Sequence, residues 1–260
     1  MAGARSDVQI GRRGATWSRV VAATPWWLVI ILVAGGFVLF SMLTNARYVD
    51  ALRYLIRGVG LTVLLSVSSY AAAMVLGLVA GLGRVSRSRL LYTISTVYVE
   101  IVRGVPLLVI IIYAHYVVAP MIGTNRYAAF SGFMALSFGY GAYLAEVFRA
   151  GIESIERGQG EAARSLGMSY RQSMRYIILP QAVRRVLPPL GNDFVAMLKD
   201  SSLVSAIAVS ELTKLGQIQA ARTFDTFRTY NAVAVLYLIL TLLLSLGVRY
   251  LERISSFGRR

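Results

Sequence analysis

No cysteine occurs in the 260 residues, so neither a disulfide framework nor a thiolate metal site can be built from them. Histidine is nearly as scarce: His115 stands alone, leaving no histidine cluster to hold a metal or form a catalytic dyad. It lies in an apolar run, where a packed or interfacial side chain is expected. Acidic residues are few, 12 Asp and Glu against 27 Lys and Arg, for a net charge of +15. No G-x-x-x-x-G-K-[ST] phosphate loop is present, so the chain cannot hydrolyse ATP unaided.

What remains is apolar. Hydrophobic residues make up 57% and charged ones 15%, and the mean hydropathy is +0.62. Several runs approach the roughly 20 residues needed to cross a bilayer, which predicts an integral membrane protein. A surplus of positive charge suggests nucleic acid, but here the basic residues border apolar runs, as the positive-inside rule requires. The basic N-terminus (Arg5, Arg12, Arg13, Arg19) precedes an apolar run from Pro25 to Leu43. A signal peptide needs a shorter apolar core and a small-residue cleavage site, and Ser41-Met42-Leu43 is a poor one; the run is read as a retained transmembrane helix.

About six spans are expected in an all-α fold. The first covers 25–43. The second, 59–83, carries Ala73, Gly77 and Gly81 at four-residue intervals, a packing face for another helix. The third region, 91–119, is too long for one upright span and holds Glu100, Arg103, Gly104 and Pro106; a break is predicted at 103–106, with Glu100 and Arg103 placed to pair on one face. The fourth covers 127–148. Glu146 lies at its edge, either in a functional role or paired with Arg149. The fifth, 188–210, is opened by Pro188-Pro189 and carries Lys199, Asp200, Ser201 and Ser202, a polar belt that predicts a discontinuous helix or a solvated path. The sixth, 230–249, is aliphatic and expected to face lipid. With the N-terminus inside, the cytoplasmic segments hold eighteen Lys and Arg and the outer loops seven, so both termini and the 149–187 loop are expected in the cytoplasm.

Within that loop, residues 161–180 read EAARSLGMSYRQSMRYIILP. Glu161 suits a first helical turn and Gly167 a left-handed cap, which predicts a helix over 161–166. Ser169 and Gln172 have capping-box spacing, opening a second helix that Pro180 is expected to end. Ala162, Leu166, Tyr170, Met174, Ile177 and Ile178 recur on one side; Arg164, Arg171, Gln172 and Arg175 take the other. Periodicity alone leaves two surfaces open for the apolar side, lipid headgroups or a groove on a partner protein.

The spacing E-A-A, three residues, Gly167, nine residues, Ile177, one residue, Leu179-Pro180 resembles the cytoplasmic loop of bacterial ATP-binding-cassette (ABC) importer permeases. Tyr98 to Leu108, Phe138 to Glu146, Gly158 to Ala163, Ile178 to Asn192 and Lys199 to Leu212 are similar to the polar amino-acid branch, histidine- and glutamine-type permeases. Phe138-Gly139-Tyr140 departs from that branch's usual shorter approach to Gly141-Ala142-Tyr143, and the first span and basic tail look like additions.

The resemblance implies a five-helix importer core over 58–252 with a coupling helix in the 149–187 loop, preceded by a segment 1–57 with its own span and followed by a tail 253–260. It implies that Glu161, Ala162, Ala163, Arg164, Ser165, Leu166 and Gly167 dock on an ATPase subunit, small residues permitting close approach. It also implies a second permease subunit, identical or paralogous, and an extracytoplasmic binding protein that delivers an amino acid. ATP would be held by the partner, with no cofactor or metal of this chain's own and no nucleic acid. A zwitterion crossing the bilayer needs polar groups in place of water, for which Glu146, Asn192, Lys199, Asp200 and Ser202 are the candidates. The rivals are an ion-gradient-driven carrier or channel, although no internal repeat is seen, and a membrane anchor for a cytoplasmic enzyme, which leaves the polar belt unexplained.

Overall fold

A computed structural model describes residues 33–256, apart from 34, 39, 43, 125, 126 and 156. The chain divides into two units, Met1–Val49 and Asp50–Arg260. In the first, the described residues between 33 and 44 are helical, and most of the expected first span, like the four N-terminal arginines, lies outside the described residues.

Helix α1, Ala46–Arg84, runs for 39 residues. The second span was expected to begin at 59, with Arg47, Arg53 and Arg57 in a loop; they are helical instead. Nothing between Ala46 and Gly58 breaks a helix, and arginine is a good helix former. Helices α2, Arg89–Gly104, and α3, Leu107–Met121, meet at a bend of 103°. This is the expected break: Pro106 lacks an N–H and restricts the residue before it, so Val105 is extended and α3 restarts beyond. α3 widens into a π-helical turn over Ala114–Val118, where His115 Nδ1 lies 3.1 Å from Ser131 Oγ, a packed role.

Helix α4, Ala128–Glu153, is central, in contact with α2 and α3, and extends beyond the expected end at 148. Gly132, Ala135, Gly139, Gly141, Ala142 and Ala145 are buried along it, and such small residues let neighbouring backbones approach. The Ala73-Gly77-Gly81 stripe of α1 meets it: a Cβ added at Gly77 would stand 2.6 Å from the Leu144 Cβ and 3.0 Å from the Gly141 carbonyl oxygen.

After α5, Arg157–Ser165, the chain turns into α6, Tyr170–Ser173, then a π turn, Met174–Ile178, then α7, Leu179–Asp200. Pro180 does not end the helix. A proline ring collides with the carbonyl four residues back, here that of Tyr176; the wider π turn offsets this, and the helix continues. Pro188 and Pro189 likewise lie inside α7 and do not open it. α7 packs on α4 and on α9, Thr226–Ser256. Between them come a 3-10 stretch, Ser201–Ile207, and α8, Leu212–Thr223.

The core has two clusters. Leu65, Ile111, Leu136, Val204 and Ile207 close one end, and Tyr70, Leu144, Val186, Leu190 and Met197 the other. By length and apolarity, Ala46–Arg84 and Thr226–Leu251 can each cross a membrane, and the bent pair Arg89–Gly104 with Leu107–Met121 makes a third if taken as one span. Between these, α4 buries mainly small residues against its neighbours, and α7 is the more polar helix. α9 fits a lipid-facing span, with 11% of its apolar window buried. Among the described residues there is no strand.

Candidate functional site: an exposed knob and a polar belt

The 161–180 stretch folds as two helices about a hinge. Gly167 has φ +78°, the Gly167 N–H donates to the Arg164 carbonyl (2.9 Å), and the Met168 N–H donates to that of Ala163 (3.1 Å), so the last carbonyls of α5 are satisfied. Both halves of the capping box form: the Gln172 N–H donates to Ser169 Oγ (3.3 Å), and the Ser169 N–H donates to Gln172 Oε1 (2.8 Å).

The burial pattern divides the expected stripe, with Met174, Ile177 and Ile178 half-buried. Ala163 is the residue of α5 that turns inward, 3% exposed, whereas Ala162 and Tyr170 are exposed and Leu166 is 83% exposed. Glu161, Arg164, Ser165 and Gly167 are exposed with them. The hinge is therefore a protruding knob with an apolar tip. It is tethered from two sides: the Arg87 guanidinium sits 4.5 Å over the Tyr170 ring, and Arg185 donates to the Ser154 carbonyl. Behind it, a cavity of about 710 Å³ is lined by Ile152, Glu153, Ile155, Glu161, Arg164 and Ile178.

One helical stretch above the knob, Glu146 is a junction of three arginines from three helices. Arg84 Nη1 lies 2.8 Å from Oε2 and Arg103 Nη1 4.0 Å from it, while Arg149 grips Oε1 and also pairs with Glu153. Glu100 pairs with Arg84 (3.4 Å), and no Glu100–Arg103 bridge forms among the described residues. The bend after Gly104 carries Arg103 towards α4, where the Glu146 carboxylate is nearer. Both Glu146 oxygens are occupied, the arrangement of a tie between helices.

The polar belt gathers on α7. The Tyr140 hydroxyl donates to Asp200 Oδ2 (2.7 Å), and the Tyr70 hydroxyl donates to the Leu190 carbonyl (2.5 Å) while its ring stacks on Phe194 (4.7 Å). Asp193 is half-buried, seven residues before Asp200, hence on the same side about 10 Å away along the axis. Lys199 and Asn192 are exposed, Ser202 is half-buried, and Lys199 makes no salt bridge with Asp200 among the described residues. Right at the belt the α-helix tightens into the 3-10 stretch and ends at Ala208, φ +62°, which matches the expected discontinuity.

Sequence reasoning missed Tyr70, Tyr140 and Asp193; the seven-residue spacing of the two aspartates was the available signal. It also missed Glu211. This carboxylate is fully buried, accepts from the N–H groups of Thr213 and Lys214 (both 2.8 Å), and takes the Tyr237 hydroxyl (2.8 Å).

Residues 73–256 match the family described as "Binding-protein-dependent transport system inner membrane component". A probable glutamine ABC transporter permease protein of Bacillus subtilis is 41% identical over 192 residues, 74% of this chain and 88% of that protein. The glutamine transport system permease protein of Escherichia coli is 38% identical over 204 residues, 78% and 93%. Among solved structures, an amino acid ABC transporter crystallised with histidines superposes with a TM-score of 0.74 at 36% identity, covering 79% of this chain and 95% of that one. The MetNI methionine ABC transporter, 23% identical, has the same fold at a TM-score of 0.69.

Proposed function

The chain belongs to the inner-membrane permeases of binding-protein-dependent transport systems, and on that premise we propose that it is the membrane subunit of an ABC importer that carries polar amino acids of the glutamine class into the cell. The knob docks in a cleft of an ATPase subunit, which supplies the energy. A second permease subunit completes the pathway, a binding protein delivers the substrate from outside, and both termini lie in the cytoplasm. The observation that carries this reading is the outward presentation of Glu161, Ala162, Arg164, Ser165, Leu166 and Gly167 on a braced hinge. A helix lying on lipid would turn its apolar side toward the bilayer along its length, whereas here a short apolar tip with small neighbours projects beyond its supports.

Within the membrane, Lys199, Asp200, Asn192 and Ser202 are the groups we place along the pathway, joined by Asp193. A zwitterion offers one ammonium and one carboxylate, and adjacent groups of opposite charge that are not spent on each other suit it. Glu146, with both oxygens occupied, serves as a tie rather than a substrate contact.

The test is reconstitution of the chain with its ATPase and binding protein, with uptake of labelled glutamine followed for wild type, Glu161→Lys and Gly167→Asp. Both variants should lose uptake and lose the ATPase on purification. Undiminished uptake without ATP would sink the ABC reading and leave a gradient-driven carrier.

A further inference from the structure

We propose that the end of the bundle where α1, α8 and α9 meet is a binding site for the headgroup of an anionic phospholipid, held by Arg57 and Arg222 around the ring of Tyr54. The Arg222 guanidinium carbon lies 5.7 Å from the centre of that ring, and the Arg57 carbon lies 6.0 Å from it. Neither arginine reaches a carboxylate within salt-bridge distance among the described residues; the bridge in this region joins Arg228 to Asp225. Both guanidinium groups lie within about 6 Å of the centre of one ring, and Arg53 is exposed one turn away, so this end of the bundle gathers positive charge that an anion would neutralise. A phosphate is the anion that guanidinium groups bind best.

The surroundings say which phosphate. α9 carries a mean hydropathy of 2.3 over its apolar window and buries little of it, so lipid chains bathe its outer side. Phe227 stands on its first turn, 74% exposed, and Phe224 just before it is 93% exposed. Ile56, beside Arg57, is 62% exposed. The arginines therefore sit at the end of a lipid-facing span with apolar side chains beside them, the height at which headgroups begin. An acidic protein surface would meet the arginines but leave Phe224, Phe227 and Ile56 uncovered. Phe224 also holds φ +53°, a left-handed conformation that bulky side chains rarely adopt. It is held there at the α8–α9 turn with its ring outward, as an anchor requires. Arg53, Arg57 and Arg222 are counted among the basic residues outside the expected cytoplasmic segments, and a phosphate in the outer leaflet gives them a partner.

The experiment uses the full chain bound to its ATPase, titrated with dioleoylphosphatidylglycerol or dioleoylphosphatidylcholine and weighed by native mass spectrometry. Wild type should retain the glycerol lipid in preference to the choline lipid. Arg57→Gln combined with Arg222→Gln should weaken that retention by about thirtyfold, the combined effect expected of two interfacial arginines, and the Arg→Lys pair should restore part of it. A second measurement keeps both arginines: because the chain has no cysteine, Phe224→Cys accepts a single spin label. In nanodiscs of phosphatidylethanolamine and phosphatidylglycerol that label should be relaxed by oxygen at headgroup depth. Equal retention of the two lipids, or unchanged retention in the double Gln variant, overturns the proposal. So does a label reached by water-soluble nickel complexes and shielded when the binding protein is added, which assigns the patch to a protein partner. If the double Gln variant fails to fold, the label's depth decides.

Discussion

Glu211 shows how one side chain can fix the end of the bundle where α8 and α9 meet. It sits at the N-cap of α8, both oxygens are used by backbone N–H groups of the first turn, and Tyr237 adds a third bond from α9. Ala in its place removes all three and leaves buried donors without acceptors, so Glu211→Ala should destabilise the protein by about 3 kcal/mol. Gln keeps one acceptor oxygen, so Glu211→Gln should lose about half as much. Thermal unfolding in detergent measures both, and equal losses would show that something other than the capping bonds holds this corner. Nearby, Ala208 at φ +62° is an alanine in a conformation glycine adopts freely, so Ala208→Gly should stabilise by about 1 kcal/mol in the same assay. Neither residue was legible in the sequence. A glutamate after Val209-Ser210 looks like any loop carboxylate until the fold buries it, and left-handed geometry leaves no mark when the residue is not glycine.

At the scale of the helices, the sequence was most informative where a local rule governs. The break at Val105-Pro106, the Gly167 hinge and the Ser169–Gln172 capping box each depend on a few adjacent residues, and each forms where its residues stand. It was least informative where neighbours override local preference. Pro180 signals an end, but packing of α7 against α4 and α9 rewards continuity, and a π turn accommodates the ring. The Ala73-Gly77-Gly81 stripe lies between these cases: spacing announced a close approach, and only the fold shows that α4 is the partner. Gly77→Val should therefore destabilise by about 2 to 3 kcal/mol, since its Cβ would fall inside contact distance of Leu144 and the backbone of α4. Gly60 lies on the same helix with nothing within 4 Å of an added Cβ, so Gly60→Ala should be neutral or stabilise by about 1 kcal/mol. Melting in detergent compares the two, and an unchanged or raised melting temperature for Gly77→Val would mean that helix propensity, not packing against α4, decides the outcome.

Across the whole molecule, α4 joins the two regions of interest. It carries Tyr140, which holds Asp200 in the polar belt, then Glu146, and ends at Glu153 on the wall of the cavity behind the knob. With the knob docked as proposed, a push on it would reach the belt through one continuous helix, provided that helix moves with its neighbours. The Glu146 junction supplies that condition by clasping Arg84 of α1, Arg103 of α2 and Arg149 of α4 at once. Removing the carboxylate charge leaves three guanidinium groups facing one another, and their repulsion loosens α1 and α2 from α4 without touching the knob or the belt. Glu146→Gln in the reconstituted importer should keep its ATPase bound and its basal ATP hydrolysis near wild type, while amino-acid uptake per ATP falls about tenfold, the scale of an ordinary coupling energy. Measuring hydrolysis and uptake on the same vesicles separates the possibilities. A parallel fall in both would place Glu146 in assembly of the complex, and no fall in either would mean that the motion travels along α4 alone.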